Sequence, residues 1–436
     1  MNTKSNILKN ASWIIVCKII QAVISFFIGM YTARYLGPAN YGLINYAASV
    51  TAFLIPVMQL GFRSILVNEF ILSPKREGEI LGTTVVLSVC SAFLSIIGIF
   101  AFTMIANRGE RDTIIVCLLY SVSLLFQAVE LTEMWFQAKL LSKYTSLATL
   151  IAYFFVSAVR IYLLISDKSI FWFAGAYVLD YFLIAFILLI FYRKNRGLKL
   201  SFSFNLGKEL LGRSKFYIVS TMMVTIFAQT DRIMLKLMID ETQTGYYSTA
   251  ITCISAANFV YAAIIDSFRP SILDAKKNNS PDFEKRLATL YAIITYLSLA
   301  QSIAMTILAK PIILIIYGEA YAPSIDVLRV AVWYVTFSYY GMVRNIWILA
   351  EQKQKYLWII NLTGAVANVI LNYLLIPIMG VVGAGLASLL TQFFTNVIVN
   401  YFIKPIRYNN RIMLRGLNPK LLLNLVTERK DSRETL

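Results

Sequence analysis

The chain has 436 residues, 58% hydrophobic and only 14% charged, with 40 Lys and Arg against 23 Asp and Glu. It contains no histidine, which excludes histidine acid–base catalysis and histidine-ligated metals. The composition is that of a polytopic membrane protein, so the net charge of +17 has to be read from where the charges fall.

A bilayer core about 30 Å thick takes roughly 20 apolar residues as a helix. Twelve stretches of that kind are predicted as spans: 13–35, 43–67, 81–106, 113–135, 147–166, 170–192, 216–239, 246–268, 287–309, 323–349, 356–377 and 380–403. The first is too long for a signal-peptide core and runs into TARYLGPANYG without an A-x-A site, so it reads as an uncleaved span. Cys17, Cys90, Cys117 and Cys253 all fall inside spans with no CxxC. They read as small buried residues, not as a disulfide framework. The tail from 404 onward is basic and broken by Pro405 and Pro419. Its stretch 411–426 is expected either to lie on the membrane surface or to be disordered.

With the N-terminus inside, the inner segments carry 28 of the 40 Lys and Arg, the outer side 5, counting Arg34 at the outer end of the first span, and the rest of the spans 7. That imbalance predicts both termini in the cytoplasm. The positive charge is therefore topological, with anionic lipid as its partner, and nucleic acid is excluded as a partner.

Six spans per half make both halves enter the membrane in the same direction. Ordered matches link the halves. Tyr41-Gly42 opens the second span and Thr244-Gly245 the eighth. GFRSIL at 61–66 matches SFRPSIL at 267–273, Trp135 matches Trp347, and Tyr162-Leu-Leu-Ile165 matches Tyr373-Leu-Leu-Ile376. Parallel repeats of this kind build two lobes about an axis along the membrane normal. The predicted division is an N-terminal lobe at 1–195, a basic cytoplasmic linker at 196–215, a C-terminal lobe at 216–403 and a basic cytoplasmic tail at 404–436.

The opening Asn10-Ala-Ser-Trp13, a long span, Tyr35-Leu-Gly-Pro-Ala-Asn-Tyr-Gly42 and Gly61-Phe-Arg63 resembles the Wzx-type polysaccharide flippases of the MOP exporter superfamily. Asp231-Arg232, Gly245 to Ala250 and Tyr317-Gly-Glu-Ala-Tyr321 are similar to later landmarks of that family. The resemblance covers roughly residues 1–403. It implies an all-α, V-shaped transporter of two six-helix lobes in a bacterial inner membrane. The implied activity is moving undecaprenyl-pyrophosphate-linked oligosaccharide, such as an O-antigen unit, to the outer leaflet. It implies no cofactor, leaves H+ and Na+ as alternative coupling ions, and makes polysaccharide polymerase machinery the expected protein partner. A multidrug exporter of the same superfamily and a membrane polymerase or glycosyltransferase are the competing readings. A cation exporter wants acids in the first helices, whereas residues 1–68 contain no Asp or Glu.

An ionisable residue deep in a span costs about 2.5–3.5 kcal/mol on insertion scales and needs a reason. Lys18 and Arg63 lack an acid within their own helical hairpin, and Arg269 is the repeat-mate of Arg63. Guanidinium forks suit phosphate oxygens, so these three are candidates for a pyrophosphate head group, with Asp266 positioned to occupy Arg269. Arg160 and Asp180 sit at similar depth on consecutive spans. They form either a structural ion pair, or a cavity-facing arginine with a proton-carrying acid. Asp231 and Arg232, adjacent on one helix, cannot pair face to face. Glu130 and Glu133 share a face, and their repeat equivalents fall beside Arg344. An inter-lobe latch between Glu133 and Arg344 is therefore predicted. Substrate binding is assigned to Lys18, Arg63, Arg269 and Arg160, and coupling or gating to Asp180, Asp231, Glu130, Glu133 and Arg344.

Overall fold

The computed structural model describes residues 3–421, with the backbone alone for residues 3–16, 18 and 19. The described chain is helical throughout, with no strand among these residues. In lipid the backbone must satisfy its own hydrogen bonds, and continuous helices do so. The helices in order are α1 (Thr3–Met58), α2 (Leu66–Leu72), α3 (Glu77–Ala106), α4 (Arg111–Val129), α5 (Thr132–Ala138), α6 (Ser142–Ile165), α7 (Ile170–Lys194) and α8 (Phe204–Met238). They are followed by α9 (Glu241–Ser255), α10 (Asn258–Lys277), α11 (Asp282–Ile316), α12 (Ser324–Ala331), α13 (Tyr334–Ala350), α14 (Leu357–Phe393), α15 (Val399–Phe402) and α16 (Arg407–Arg415).

Eight helices among the described residues are long and apolar enough to cross a membrane, or nine if α9 and α10, bent by 42°, count as one. Two of them, α1 and α14, each run through two of the predicted spans. α1 runs 56 residues and leaves helical geometry at Gly37 (φ 72°, ψ 170°), just before Pro38. α14 does the same at Gly380 (φ 58°, ψ −137°). Each break falls where the sequence separates two spans. The predicted tenth span is two helices, α12 and α13, that meet near Val332 and Trp333.

The chain separates into two compact units, Met1–Gly245 and Tyr246–Leu436. This division lies further along the chain than the linker expected at 196–215. The expected linker is helical from Phe204, where Ser203 caps α8 by accepting from Leu206 N at 3.4 Å. α8 lies along α1.

In the first unit, α2, α3, α5, α6, α7 and α8 meet over one apolar cluster that includes Phe62, Phe70, Leu81, Trp135, Leu188 and Leu210. Trp135 sits edge-on to Tyr192 at 4.8 Å, and the Tyr192 hydroxyl donates to Leu198 O at 2.7 Å. Buried hydroxyls need such partners. In the second unit, α11 and α13 are joined by Ser298–Thr336 at 2.8 Å and Thr295–Tyr340 at 2.7 Å, the side-chain bonding that supplements packing between membrane helices. Apolar residues outside the bundles, such as Leu94 (70% exposed) and Ile105 (81%), leave a surface that only lipid covers favourably. Cys90 is exposed on α3, contrary to the buried reading. It lies on the helix face turned away from the core.

α16 is amphipathic and packs on α11. Tyr291 donates to Asn409 Oδ1 at 3.2 Å, and Arg415 pairs with Glu284 at 2.6 Å. The first part of the expected surface stretch 411–426 is therefore docked helix. Residues beyond 421, and the Lys18 side chain, lie outside the described residues.

Candidate functional site

Three polar constructions stand out in the first unit, one at each end and one within it. The first lies where α8 ends and α9 begins. Lys236 is only 6% exposed, yet it is paired with Glu110 at 2.7 Å and Glu241 at 2.8 Å. Glu110 stands in the turn between α3 and α4 and also accepts from Thr113 at 2.8 Å and Asn107 at 3.3 Å. Asn107 in turn accepts from the buried Tyr46 hydroxyl of α1 at 2.8 Å. Burial pushes the Glu110 carboxyl up, but the hydrogen bonds from Lys236 and Thr113 outweigh it, and its pKa lies below the ordinary carboxylate value.

Beside this cluster, helix backbones touch. A β-carbon on Gly42 would stand 1.7 Å from Glu241 O and 2.7 Å from Gly245 N, and one on Gly245 would stand 2.1 Å from Pro38 O. No side chain fits there. Glycine at both positions is what allows the second segment of α1 and the start of α9 to cross in contact.

The second construction is at the opposite end of the unit. Arg63, in the short turn after α1, bonds Glu133 of α5 at 2.9 Å. Lys139 pairs with the buried Glu77 at 2.8 Å, and Arg213 joins Glu69 at 2.7 Å to Glu209 at 2.5 Å. The Arg63 side chain remains 45% exposed, so its pair is of the weak, solvated kind.

The third is a cavity of about 170 Å³ lined by Thr32, Tyr41, Asn45, Tyr120, Arg160, Phe173 and Tyr177, among others. Arg160 projects into it and makes no hydrogen bond or ion pair among the described residues. The structural ion pair with Asp180 is therefore not formed, and Asp180 Oδ1 is buried without a hydrogen-bond partner. Glu130, on the α4–α5 junction, is half-buried and likewise makes no side-chain hydrogen bond or ion pair among the described residues. A further cavity of about 270 Å³ between α1 and α8 is lined by Pro56, Gln59, Thr221, Thr225 and Gln229, among others.

The remaining candidates separate. Asp231 is buried, and its neighbour Arg232 donates to Gln229 at 3.4 Å. In the second unit, Arg269 pairs with Asp266 at 3.2 Å, as the i, i+3 spacing suggested. Arg344 is 3% exposed and is held by carbonyl oxygens of Thr395, Asn400 and Asn345 at 3.3 to 3.4 Å. Both members of the predicted Glu133–Arg344 latch thus have partners inside their own unit. A run of carboxamides surrounds Arg344: Asn400 donates to Asn410 Oδ1 at 3.2 Å, and Asn410 to Val397 O at 2.8 Å. The π-helical turn Phe394–Ile398 brings them together.

Sequence reasoning missed the Lys236 cluster. Lys236 and Glu110 are 126 positions apart, and no local spacing announces the pair. The tyrosines of the third construction were also passed over, because aromatic residues in spans ordinarily mean packing.

Residues 7–276 match the model of a family described as polysaccharide biosynthesis protein. The chain is similar to the capsular polysaccharide biosynthesis protein CapF of Staphylococcus aureus, 22% identical over 403 residues that cover 91% of this chain and 99% of the relative. Among solved structures it is similar to the lipid II flippase MurJ in an inward closed conformation, with TM-score 0.69, 16% identity and coverage of 94% and 92% of the two chains. An inward-facing multidrug resistance MATE family transporter of the MOP superfamily gives TM-score 0.69 at 14% identity, covering 90% and 95%. An outward-facing MATE transporter gives 0.54 at 12%, covering 94% and 97%. The fold is the all-helical membrane fold of the MOP-superfamily transporters.

Proposed function

This chain belongs to the polysaccharide biosynthesis protein family, and from that premise we propose that it carries undecaprenyl-pyrophosphate-linked oligosaccharide from the cytoplasmic to the outer leaflet of a bacterial inner membrane. The observation that carries the reading is the family match over residues 7–276 on a transporter fold. The Lys and Arg distribution supports cytoplasmic termini. In that orientation Arg63 lies at the inner end of its unit and Lys236 at the outer end.

Alternating access requires two packings within a few kcal/mol of each other. Lys18, Arg63 and Arg269 are the proposed contacts for the pyrophosphate. Arg63 and Arg269 are themselves half-exposed and are each held in this structure by one carboxylate, Glu133 and Asp266, which a doubly charged pyrophosphate can replace. Asp180, Asp231, Glu130, Glu133 and Arg344 remain the proposed coupling or gating groups, with H+ or Na+ as the driving ion. No cofactor enters the reading, and polymerase machinery is its proposed partner.

The test is complementation of a flippase-deficient strain whose own repeat unit matches the transporter. Restored surface polysaccharide supports the reading. Restored drug resistance without surface polysaccharide would assign the chain to the multidrug branch instead.

A further inference from the structure

We propose that the Arg160 cavity of the first unit is a binding subsite for a single sugar ring bearing an anionic group. This rests on the function proposed above and narrows it to acidic repeat units. Arg160 supplies the charge. A half-buried guanidinium without a carboxylate is unusual, because buried charges are normally paired. Asp180, on the neighbouring helix α7, does not reach ion-pair distance. The guanidinium is left facing a cavity of about 170 Å³, the scale of one ring and not of an oligosaccharide.

The rest of the lining fits a hydroxylated ring. The Thr32 residue is 7% exposed, and its Oγ1 is buried without a hydrogen-bond partner. Buried hydroxyls are ordinarily satisfied, so this one lacks a partner that a ligand hydroxyl would supply. Asn45 spends its Nδ2 on Tyr41 O at 2.8 Å, leaving its Oδ1 as an acceptor. Tyr120 and Tyr177 stack at 4.2 Å and 24° and, with Phe173, give the cavity aromatic walls. Apolar ring faces cover the C–H face of a pyranose while the hydroxyls point to Thr32 and Asn45. A cationic drug would meet a guanidinium with no carboxylate at ion-pair distance, and an acyl chain would leave the polar groups unsatisfied.

The anion is either a uronate carboxylate or a sugar phosphate, and the probes separate the two. Full-length protein in lipid nanodiscs is titrated with methyl glucuronide, glucose 1-phosphate and methyl glucoside, and binding is read by saturation-transfer NMR. At least one acidic probe is expected to bind tenfold or more tightly than methyl glucoside, and the stronger of the two identifies the anion. Arg160→Gln should lose that preference, and Arg160→Lys should keep part of it. Thr32→Val, which fills the same space without a hydroxyl, should weaken the acidic probe several-fold with no fall in melting temperature. It keeps the test decisive if Arg160→Gln fails to fold. Equal binding of methyl glucoside, no binding of any probe, or wild-type binding by Arg160→Gln or Thr32→Val overturns the subsite. A protein that flips lipid-linked oligosaccharide yet binds none of the probes loses the subsite and keeps the proposed function.

Discussion

Gly42 and Gly245, matched by the sequence repeat, meet backbone to backbone: a β-carbon on Gly42 would stand 2.7 Å from Gly245 N. The contact draws the second segment of α1 against the start of α9 beside the Lys236 cluster. Gly42→Ala should therefore push the helices apart. Overpacking of this kind costs about 1–3 kcal/mol. A lowered apparent melting temperature in detergent is expected for Gly42→Ala and for Gly245→Ala, and the double variant should cost less than the sum because the contact is shared. Melting curves like those of the wild type would show that the crossing yields freely.

Lys236 is buried between two half-exposed carboxylates. Lys236→Met leaves both acids facing each other with no cation. Breaking a buried pair costs about 3–5 kcal/mol, and the exposure of the acids lowers that figure here. Glu110→Gln and Glu241→Gln should each cost less, since the lysine keeps one partner. A single-acid variant as damaging as Lys236→Met would contradict the shared arrangement.

The same cluster sets a pH dependence. The Glu110 pKa is lowered in the folded state, its hydrogen bonds outweighing burial. A lowered folded pKa contributes stability above the unfolded value of about 4.3, and this is lost as pH falls through the lowered value. The melting temperature of the wild type should accordingly drop below about pH 4 more steeply than that of Glu110→Gln. Parallel curves would show that Glu110 carries none of the acid sensitivity.

Much of this was legible in the sequence, for physical reasons. The bilayer imposes span lengths, and the breaks in α1 and α14 fall at Gly37 and Gly380, where the apolar runs divide. The repeat paired Gly42 with Gly245 as equivalent positions, but equivalence says nothing about contact. The ion-pair partners were the least legible part. Glu133 was matched to Arg344 by the repeat, whereas its side chain meets Arg63, from a turn 70 residues earlier. Arg344 was assumed to need a carboxylate, and carboxamides and carbonyls hold it instead. The signal present was Asn396 and Asn400 at helical spacing, followed by Asn409-Asn410, late in an otherwise apolar stretch.

Arg63 tests the head-group assignment. Under that reading, Arg63→Ala should abolish transport at unchanged membrane insertion, and Arg63→Lys should restore part of it, because bidentate geometry is lost. Glu133→Gln removes the same ion pair but frees the guanidinium, so it should be far milder. Equal damage from Arg63→Ala and Glu133→Gln would make the pair structural.

The central claim is that this chain moves a lipid-linked oligosaccharide across a bilayer. Purified protein in proteoliposomes carrying undecaprenyl-pyrophosphate-linked oligosaccharide on one leaflet tests it directly, with accessibility of the sugar to an external lectin as the readout. The account predicts sugar appearing on the opposite leaflet faster than in protein-free vesicles, with the acceleration lost in Arg63→Ala. Equal rates with and without the protein, across both H+ and Na+ gradients, would contradict it.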